Sequence, residues 1–169
     1  VKEVSKSVKN STIAGLARAS LKDIDRAWEA VQYAKSPRIH TFIATSPLHM
    51  KYKLKKTEEE VLEAIKKTVT HSRNLCDNIE WSCEDGGRSD LSFLYKCIEL
   101  AIDCGAKTIK IPDTVGYTLP EEFGKIFKNV RENVPNIDKA ILSTHTHNDL
   151  GLATANNVAA IKEGARQVE

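Results

Sequence analysis

The chain has 169 residues, of which 41% are hydrophobic and 28% charged, and this balance excludes a disordered or collagen-like protein. Its 25 basic and 23 acidic side chains give a formal net charge of +2 without a basic stripe, which argues against a nucleic-acid partner. No run approaches the roughly 18 apolar residues that a membrane span needs, and the first ten residues have no apolar signal segment. We therefore expect one soluble domain that acts without nucleic acid or membrane.

Short β-branched runs alternate along the chain with longer segments of helical spacing, which is the pattern of repeated βαβ units. The predicted strands are TIAGLA from Thr12, IHTFIAT from Ile39, NIEWSC from Asn78, KTIKIP from Lys107, KAILSTH from Lys139 and RQVE from Arg166. The sequence therefore predicts an α/β fold with a parallel sheet.

Helices are predicted in the intervals between the strands. The first covers residues 23–34 and is stopped by Pro37, and the second runs from residue 57 to about residue 75. The second begins with the capping box Thr57-x-x-Glu60. A third helix is predicted in the next interval and ends at Gly105, a residue type that commonly follows a helix.

Two later helix starts are predicted from capping residues. Thr118-x-x-Glu121, with Pro120 between them, indicates a second capping box. Asp149 precedes the last helix as its N-cap. The apolar side of that helix is predicted to carry Leu152, Ala155, Ala159 and Ile161.

The spacing of the strands bears on the type of α/β fold. The six strand starts lie on average about 31 residues apart, and eight such units need about 250 residues, the usual size of a (β/α)₈ barrel. Periodicity alone leaves two alternatives open, an open doubly wound sheet or a barrel with part of its chain missing. No Gly-rich nucleotide-binding turn is present to favour the doubly wound sheet.

The segment His145-Thr146-His147 lies where a predicted strand ends. Alternate strand residues point the same way about 7 Å apart, so both imidazoles can reach one metal ion from one face of the sheet. The carboxyl edge of a parallel sheet is also where both candidate folds place their sites. The residues alone leave two interpretations of His145 and His147 equally open, a pair of metal ligands or a pair of structural histidines, and Asp149 is interpreted as a cap rather than a ligand.

Two other strand ends carry candidate site residues. Ser82-Cys83-Glu84-Asp85-Gly86-Gly87-Arg88 suits a loop that brings a charged group to a ligand, and the alternative is a turn in which Asp85 and Arg88 only pair. Cys83 is interpreted as a lining residue rather than a nucleophile. Pro112-Asp113-Thr114 follows the next strand, where the Thr114 hydroxyl can hold a carboxylate or simply stabilise a turn.

Other polar residues give weaker signals. The lysines at positions 51, 53, 55 and 56 are interpreted as a solvated face, with attraction of a phosphorylated substrate as the alternative. His40 either points into a barrel or is buried with a partner, and His49 and His71 indicate nothing. The four cysteines form no CxxC pair, so a reducing compartment is expected.

Taken together, these motifs resemble a known family. SCEDGGRSD, TIKIPDTVGYTLPEEFG and STHTHNDLGLATANNVAAIKEGARQVE, with RIHTFIATSPLH and STIAGLARAS in the same order, resemble the catalytic barrel of the 2-isopropylmalate synthase family over essentially the whole chain. The resemblance implies a partial TIM (β/α)₈ barrel with about six of its eight parallel strands. Residues 1–169 are then part of a single catalytic domain that holds barrel strands 3 to 8, without the first strands and the C-terminal region.

The resemblance also implies roles for individual residues. His145 and His147 match two ligands of a catalytic divalent metal, Mg or Mn with Zn as an alternative, and Glu84 matches the catalytic glutamate. Thr114 matches the threonine that holds the 2-oxo acid. The pocket-lining positions are matched by His40 and Ser82. One departure is Lys110, because an Asn commonly precedes the I-P-D-T run in this family.

The activity implied is that of an acyltransferase in leucine biosynthesis. It condenses acetyl-CoA with 2-oxoisovalerate to 2-isopropylmalate, in the cytoplasm or, in a plant-type source, in the plastid, and as a homodimer in the complete protein. A sister synthase for homocitrate, citramalate or methylthioalkylmalate is the first alternative. The second is an inactive fragment that persists only by association, since this piece alone is expected to lack activity.

Overall fold

A computed structural model describes residues 1–169 and contains one six-stranded sheet. All strands are parallel, and their order in the sheet is their order in the chain. The strands are β1 (Ile13–Arg18), β2 (Pro37–Ala44), β3 (Ile79–Glu84), β4 (Thr108–Asp113), β5 (Ile141–Thr146) and β6 (Gln167–Val168). Each of the six predicted strands is therefore confirmed within a few residues.

Helices occupy the intervals between the strands. They are α1 (Lys2–Ser7), α2 (Leu21–Val31), α3 (Pro47–His49), α4 (Glu58–Leu75), α5 (Leu91–Asp103), α6 (Pro120–Asn133) and α7 (Ala153–Lys162). A π-helical turn, Met50–Leu54, follows α3 directly. None of the helices is both long and apolar enough to cross a membrane.

The strand order distinguishes the two folds that the periodicity left open. A doubly wound sheet reverses its strand order at a switch point, whereas a barrel adds each strand beside the preceding one. Here β1 to β6 follow one another without a reversal. The sheet is therefore part of a barrel, which confirms the predicted partial TIM barrel.

The two faces of the sheet differ in chemistry because side chains alternate along each strand. In β3, Ile79, Trp81 and Cys83 join a continuous core of 30 buried apolar residues between the sheet and the helices. The alternate residues of the same strand, Glu80 and Ser82, lie on the opposite face and are also buried. The helix-free face, which is the barrel interior, is thus polar.

Two predicted caps are confirmed. The Thr57 hydroxyl accepts a hydrogen bond from the Glu60 amide, and the Glu60 carboxylate accepts one from the Thr57 amide. Gly105 follows α5 with a φ of 109°, a value that is costly for any residue with a Cβ.

The capping box predicted at Thr118 is wrong. Helix α6 begins with Leu119 as N-cap and Pro120 as its first residue, and the Leu119 amide donates to Glu122 rather than Glu121. The Thr118 hydroxyl instead donates to the buried carboxylate of Asp113 at 2.9 Å. A tertiary hydrogen bond has therefore displaced the local cap.

The predicted start and apolar side of the last helix are also wrong. Asp149 is exposed, and Asn148 Oδ1 accepts from the Ala153 amide at 3.2 Å instead. The buried side chains of α7 are Asn156 and Ala160, because Asn156 binds Asp113 and the Thr118 carbonyl. Of the predicted apolar side, Ala155 and Ile161 are exposed, and Leu152 and Ala159 are half-buried.

Candidate functional site

A cavity of about 420 Å³ opens on the polar face of the sheet, at the carboxyl ends of the strands. It is lined by Leu16, His40, Phe42, Ser82, Glu84, Lys110, Pro112, Thr114, His145, His147 and Glu169. Every predicted site residue lines this one cavity: His40 lies in the middle of β2, and the others lie at or near the ends of β3, β4 and β5. Their roles stay predictions, but the structure brings them together.

The two histidines at the end of β5 face each other. The distance between His145 Nε2 and His147 Nε2 is 3.1 Å. His147 Nδ1 lies 2.5 Å from the Thr114 carbonyl oxygen and donates its proton to it, which leaves the lone pair on Nε2. Burial, with the nearby Lys110 and His147, lowers the pKa of His145 below its usual value. The His145 ring is therefore favoured in its neutral form, which is the form that a metal ligand requires, and the tautomer of His147 directs its lone pair into the cavity.

This donor set fits a divalent cation in part. Two ring nitrogens converge on one point, and the buried Nδ1 of His145 has no hydrogen-bond partner that would fix its tautomer. No group of three or more His, Cys, Asp or Glu side chains with metal-binding geometry occurs in the chain. The pair can therefore supply two ligands of an ion whose remaining ligands would come from elsewhere.

The loop after β4 contacts the segment that carries His145 and His147 and holds it in position. Asp113 is 1% exposed and accepts from the Thr118 amide and hydroxyl, while its carbonyl oxygen accepts from the His147 amide at 3.4 Å. Gly116 has a φ of 64°, and a Cβ there would overlap the Asp149 side chain. Only glycine lets this loop lie so close to the segment that carries His147.

The sequence leaves two alternatives open for the loop after β3, a turn in which Asp85 and Arg88 only pair and a loop that serves a ligand site. The structure shows features of both. Arg88 donates two hydrogen bonds of 2.8 Å to the Asp85 carboxylate, so these residues do pair. Asp85 has a φ of 62°, and its amide donates to Thr114 Oγ1 at 3.0 Å. The bond fixes the Thr114 side chain at the cavity wall while leaving its hydroxyl proton free to donate to a ligand. Backbone strain of this kind is concentrated at functional sites.

Glu84 is the last residue of β3 and its side chain is 19% exposed. Its Oε1 lies 2.5 Å from Lys53 Nζ, which the π-helical turn directs toward the cavity. All four lysines of the predicted solvated face are exposed, and Lys53 differs from the other three in that its ammonium also binds a carboxylate at the cavity. The sequence contained no signal for this contact, because it depends on the turn at residues 50–54.

The floor of the cavity is a network of buried charges around Glu80, which is 2% exposed. Its two oxygens lie 2.7 Å from Arg38 and 2.7 Å from Lys110. Burial opposes the charge of Glu80, but His40 and Lys110 outweigh it and hold its pKa below the usual value. Burial lowers the pKa of His40 to about 4, so this ring is neutral at pH 7 and its Nε2 lies 2.5 Å from Ser82 Oγ.

The network around Glu80 was missed at the level of sequence. Strand parity carried the signal, because Glu80 has the same parity as Ser82 and Glu84, and Lys110 the same as Pro112.

Cys83 has the opposite parity. It is fully buried on the helix side, where burial raises the pKa of its thiol to about 12, so its interpretation as a lining residue is wrong and its exclusion as a nucleophile holds.

The imidazole pair leads to a prediction about metal preference. Two imidazoles favour later transition metals, so the chain by itself is expected to bind Ni²⁺ or Zn²⁺ more tightly than Mn²⁺. Isothermal calorimetry checks this, with His147→Ala expected to abolish the binding and His71→Ala, on the outer helix α4, to leave it unchanged. Submicromolar affinity for Mn²⁺ would contradict the view that this chain holds only part of a metal site.

Comparison with known proteins extends these observations. The HMGL-like family model matches residues 1–169. A 2-isopropylmalate synthase from Ruminiclostridium cellulolyticum is 60% identical over 98% of this chain and 33% of its own length. One from Rhodopseudomonas palustris is 58% identical over 100% of this chain and 32% of its own length. The chain thus spans about a third of the length of these curated relatives.

Solved structures with the same fold are more distant in sequence. Hydroxymethylglutaryl-CoA lyase from Pseudomonas aeruginosa superimposes with a TM-score of 0.77 at 21% identity, over 99% of this chain and 56% of that one. An HMG-CoA lyase from Acinetobacter baumannii, in complex with coenzyme A and 3-methylmalate, gives a TM-score of 0.75 at 20% identity, over 99% of this chain and 55% of that one. At this identity the likeness shows the fold alone.

Proposed function

This chain belongs to the HMGL-like family, and from that premise we propose that it is the larger part of the catalytic barrel of a 2-isopropylmalate synthase. In the proposed reaction the methyl carbon of acetyl-CoA loses a proton and bonds to the ketone carbon of 2-oxoisovalerate, whose oxygen takes up a proton to become a hydroxyl. Water then cleaves the thioester and releases CoA. The observation that carries the proposal is the single cavity lined by His40, Ser82, Glu84, Thr114 and the two histidines. Identity of 58–60% to curated synthases over the whole chain supports it.

Family members generally depend on a divalent metal, and His145 and His147 would hold two of its coordination positions through their Nε2 atoms. When bound, the ion would polarise the ketone of the 2-oxo acid. The remaining work falls to the chain's own side chains. Thr114 donates its hydroxyl proton to the substrate carboxylate, and the Glu84 carboxylate is assigned a proton transfer at the reacting centre.

The environment of Lys110 favours a branched aliphatic 2-oxo acid over a dicarboxylic one. A free ammonium in the cavity would select 2-oxoglutarate, as a homocitrate synthase requires. Here Lys110 Nζ is bound by both Glu80 and Glu169, so its charge is already neutralised. The cavity therefore offers no free cation for a second substrate carboxylate at this position.

The location and assembly of the complete protein are part of the proposal. All four cysteines are free thiols, which supports a reducing compartment such as the cytoplasm. We place residues 1–169 in a single catalytic domain and expect the complete protein to be a homodimer.

Release of free CoA by the complete protein tests the proposal. We expect turnover with acetyl-CoA and 2-oxoisovalerate to exceed that with pyruvate, 2-oxoglutarate or a methylthio-substituted 2-oxo acid. Preference for one of the other acids would assign the chain to a sister synthase. No CoA release with any of them would refute the synthase activity itself.

The role of Thr114 leads to a separate prediction. Thr114→Val removes the hydroxyl and keeps the side-chain shape, so the KM for the 2-oxo acid is expected to rise by the equivalent of ~1.5 to 3 kcal/mol, the value of a hydrogen bond to a charged group. Steady-state kinetics at saturating acetyl-CoA measure this. Thr114→Ser, which retains the hydroxyl, is the matched control and should stay close to the wild type; an unchanged KM in the Val variant would restrict Thr114 to its bond with Asp85.

A further inference from the structure

His49 carries a buried polar atom that the proposed mechanism does not use. It is the last residue of α3, its side chain is 24% exposed, and its Nδ1 is fully buried without a hydrogen-bond partner. An unpaired buried polar group destabilises the folded state, so a hydrogen-bond partner for His49 Nδ1 is expected nearby.

Two carboxylates lie near this nitrogen. Glu84 Oε1 is 3.7 Å from His49 Nδ1, and Asp85 Oδ2 is 3.8 Å from it. Asp85 Oδ2, the oxygen nearest His49, already accepts two hydrogen bonds, one from Arg88 at 2.8 Å and one from the Ser46 hydroxyl at 2.5 Å. Glu84 has only one partner, Lys53, so it is the carboxylate with capacity for His49.

The backbone around His49 is fixed in a way that serves this contact. Ser46 caps α3 by accepting from the His49 amide at 3.3 Å, and the same hydroxyl binds Asp85, the neighbour of Glu84. The chain then enters the π-helical turn, which ends at Lys55 with a φ of 53°. π-Helical turns and left-handed non-glycine residues are both uncommon, and both occur frequently at functional sites. Here they direct Lys53 to the carboxylate that His49 also faces.

We propose that His49 is a further positioning residue of the proposed reaction, acting on Glu84. His49 Nδ1 and Lys53 Nζ approach the same carboxylate oxygen from α3 and from the turn that follows it. A displacement of Glu84 Oε1 by a few tenths of an ångström toward His49 Nδ1 brings the two atoms within hydrogen-bond distance. His49 thereby holds the charge of Glu84 in place from the buried side of the cavity wall, while Lys53, which is 51% exposed, binds it from the solvent side. This inference rests on the proposed function.

A mutant series in the complete protein tests this role. His49→Leu is expected to lower kcat roughly tenfold or more, the loss of one hydrogen bond to a charged group, with KM changed less than about threefold. His49→Asn places an amide donor where Nδ1 lies and should recover most of the rate. His49→Gln carries its donor one bond further out and should stay impaired. Because Asn and Gln are equally polar, their contrast tests position even if the Leu variant fails to fold.

Coupling to Glu84 separates positioning from a general structural role. In a Glu84→Gln background the charge is absent, so His49→Leu is expected to reduce kcat less than about twofold further. An equal loss in both backgrounds, or Asn and Gln variants of equal rate, would overturn the role. His71→Leu, which removes a surface histidine paired with Asp25, is the matched control. A wild-type protein that releases no CoA would overturn the proposed function and this role together, whereas an active protein with additive effects would overturn the role alone.

Discussion

Glu84→Gln is expected to lower kcat of the complete protein by ~100- to 10,000-fold, the usual contribution of a positioned carboxylate to proton transfer, while KM changes only a few-fold. The substitution preserves shape and removes charge. Glu84 ends β3 at the cavity wall and, apart from Lys53, has no hydrogen-bond partner, so its second oxygen is free to act on a substrate. Steady-state kinetics with both substrates varied would measure the effect.

A matched control for this variant is Glu63→Gln, an exposed carboxylate of α4 on the outside of the domain. It should leave both kinetic constants unchanged. If kcat of the Glu84→Gln variant stays near that of the wild type, Glu84 is a structural carboxylate that serves only to pair with Lys53. The Thr114 variant would then be the remaining test of the cavity as the site of reaction.

Glu80→Leu is expected to destabilise the protein by ~3 to 5 kcal/mol, because it removes the buried anion that two cations share and leaves Lys110 with only the partly exposed Glu169 and Arg38 with only neutral partners. Lys110, whose side chain is 7% exposed, and Arg38 both bind this carboxylate. Urea unfolding of the complete protein measures the loss as a lower midpoint with an unchanged slope. A loss below ~1 kcal/mol would mean that water reaches the network and solvates the cations.

The double variant Glu80→Leu/Lys110→Met tests the physical cause. It replaces the buried pair by apolar side chains of similar volume, so it should be more stable than Glu80→Leu alone. Removing an exposed pair provides the control: Glu29→Leu breaks a contact with Arg26 in which the side chains are 57% and 82% exposed, and it should change stability little.

Sequence periodicity predicted the strands well because the helix-facing residues are β-branched or aromatic, as in Ile79, Trp81 and Ile109. It also placed the candidate site, since residues such as Glu84 and His145 come at the ends of neighbouring parallel strands. The choice between barrel and open sheet required the strand order, which periodicity does not contain. The family resemblance supplied the barrel, and the sheet order confirms it.

The failures have a common cause, which is that tertiary contacts overrode local signals. Thr118 has the sequence context of a capping box, but a buried carboxylate from β4 binds it more favourably. The segment that contains His49 and Lys53 has no apolar period, so neither α3 nor the π-helical turn was predicted. Their relation to Glu84 arises from packing between β2 and β3, which a linear pattern does not report.

The agreement between strand order and chain order has a consequence for how the domain forms. Paired residues such as Ile13 with Pro37, and Thr108 with Ile141, are separated by only one βα unit. A ribosome needs a few seconds to add about 30 residues at ~5 to 20 residues per second, whereas helix formation and hydrophobic collapse of a segment of this size take less than about 100 microseconds. Each strand therefore has time to dock on its predecessor before the next one emerges. The sheet can grow along one edge during translation, with no pairing in β1 to β6 having to wait for a distant part of the chain.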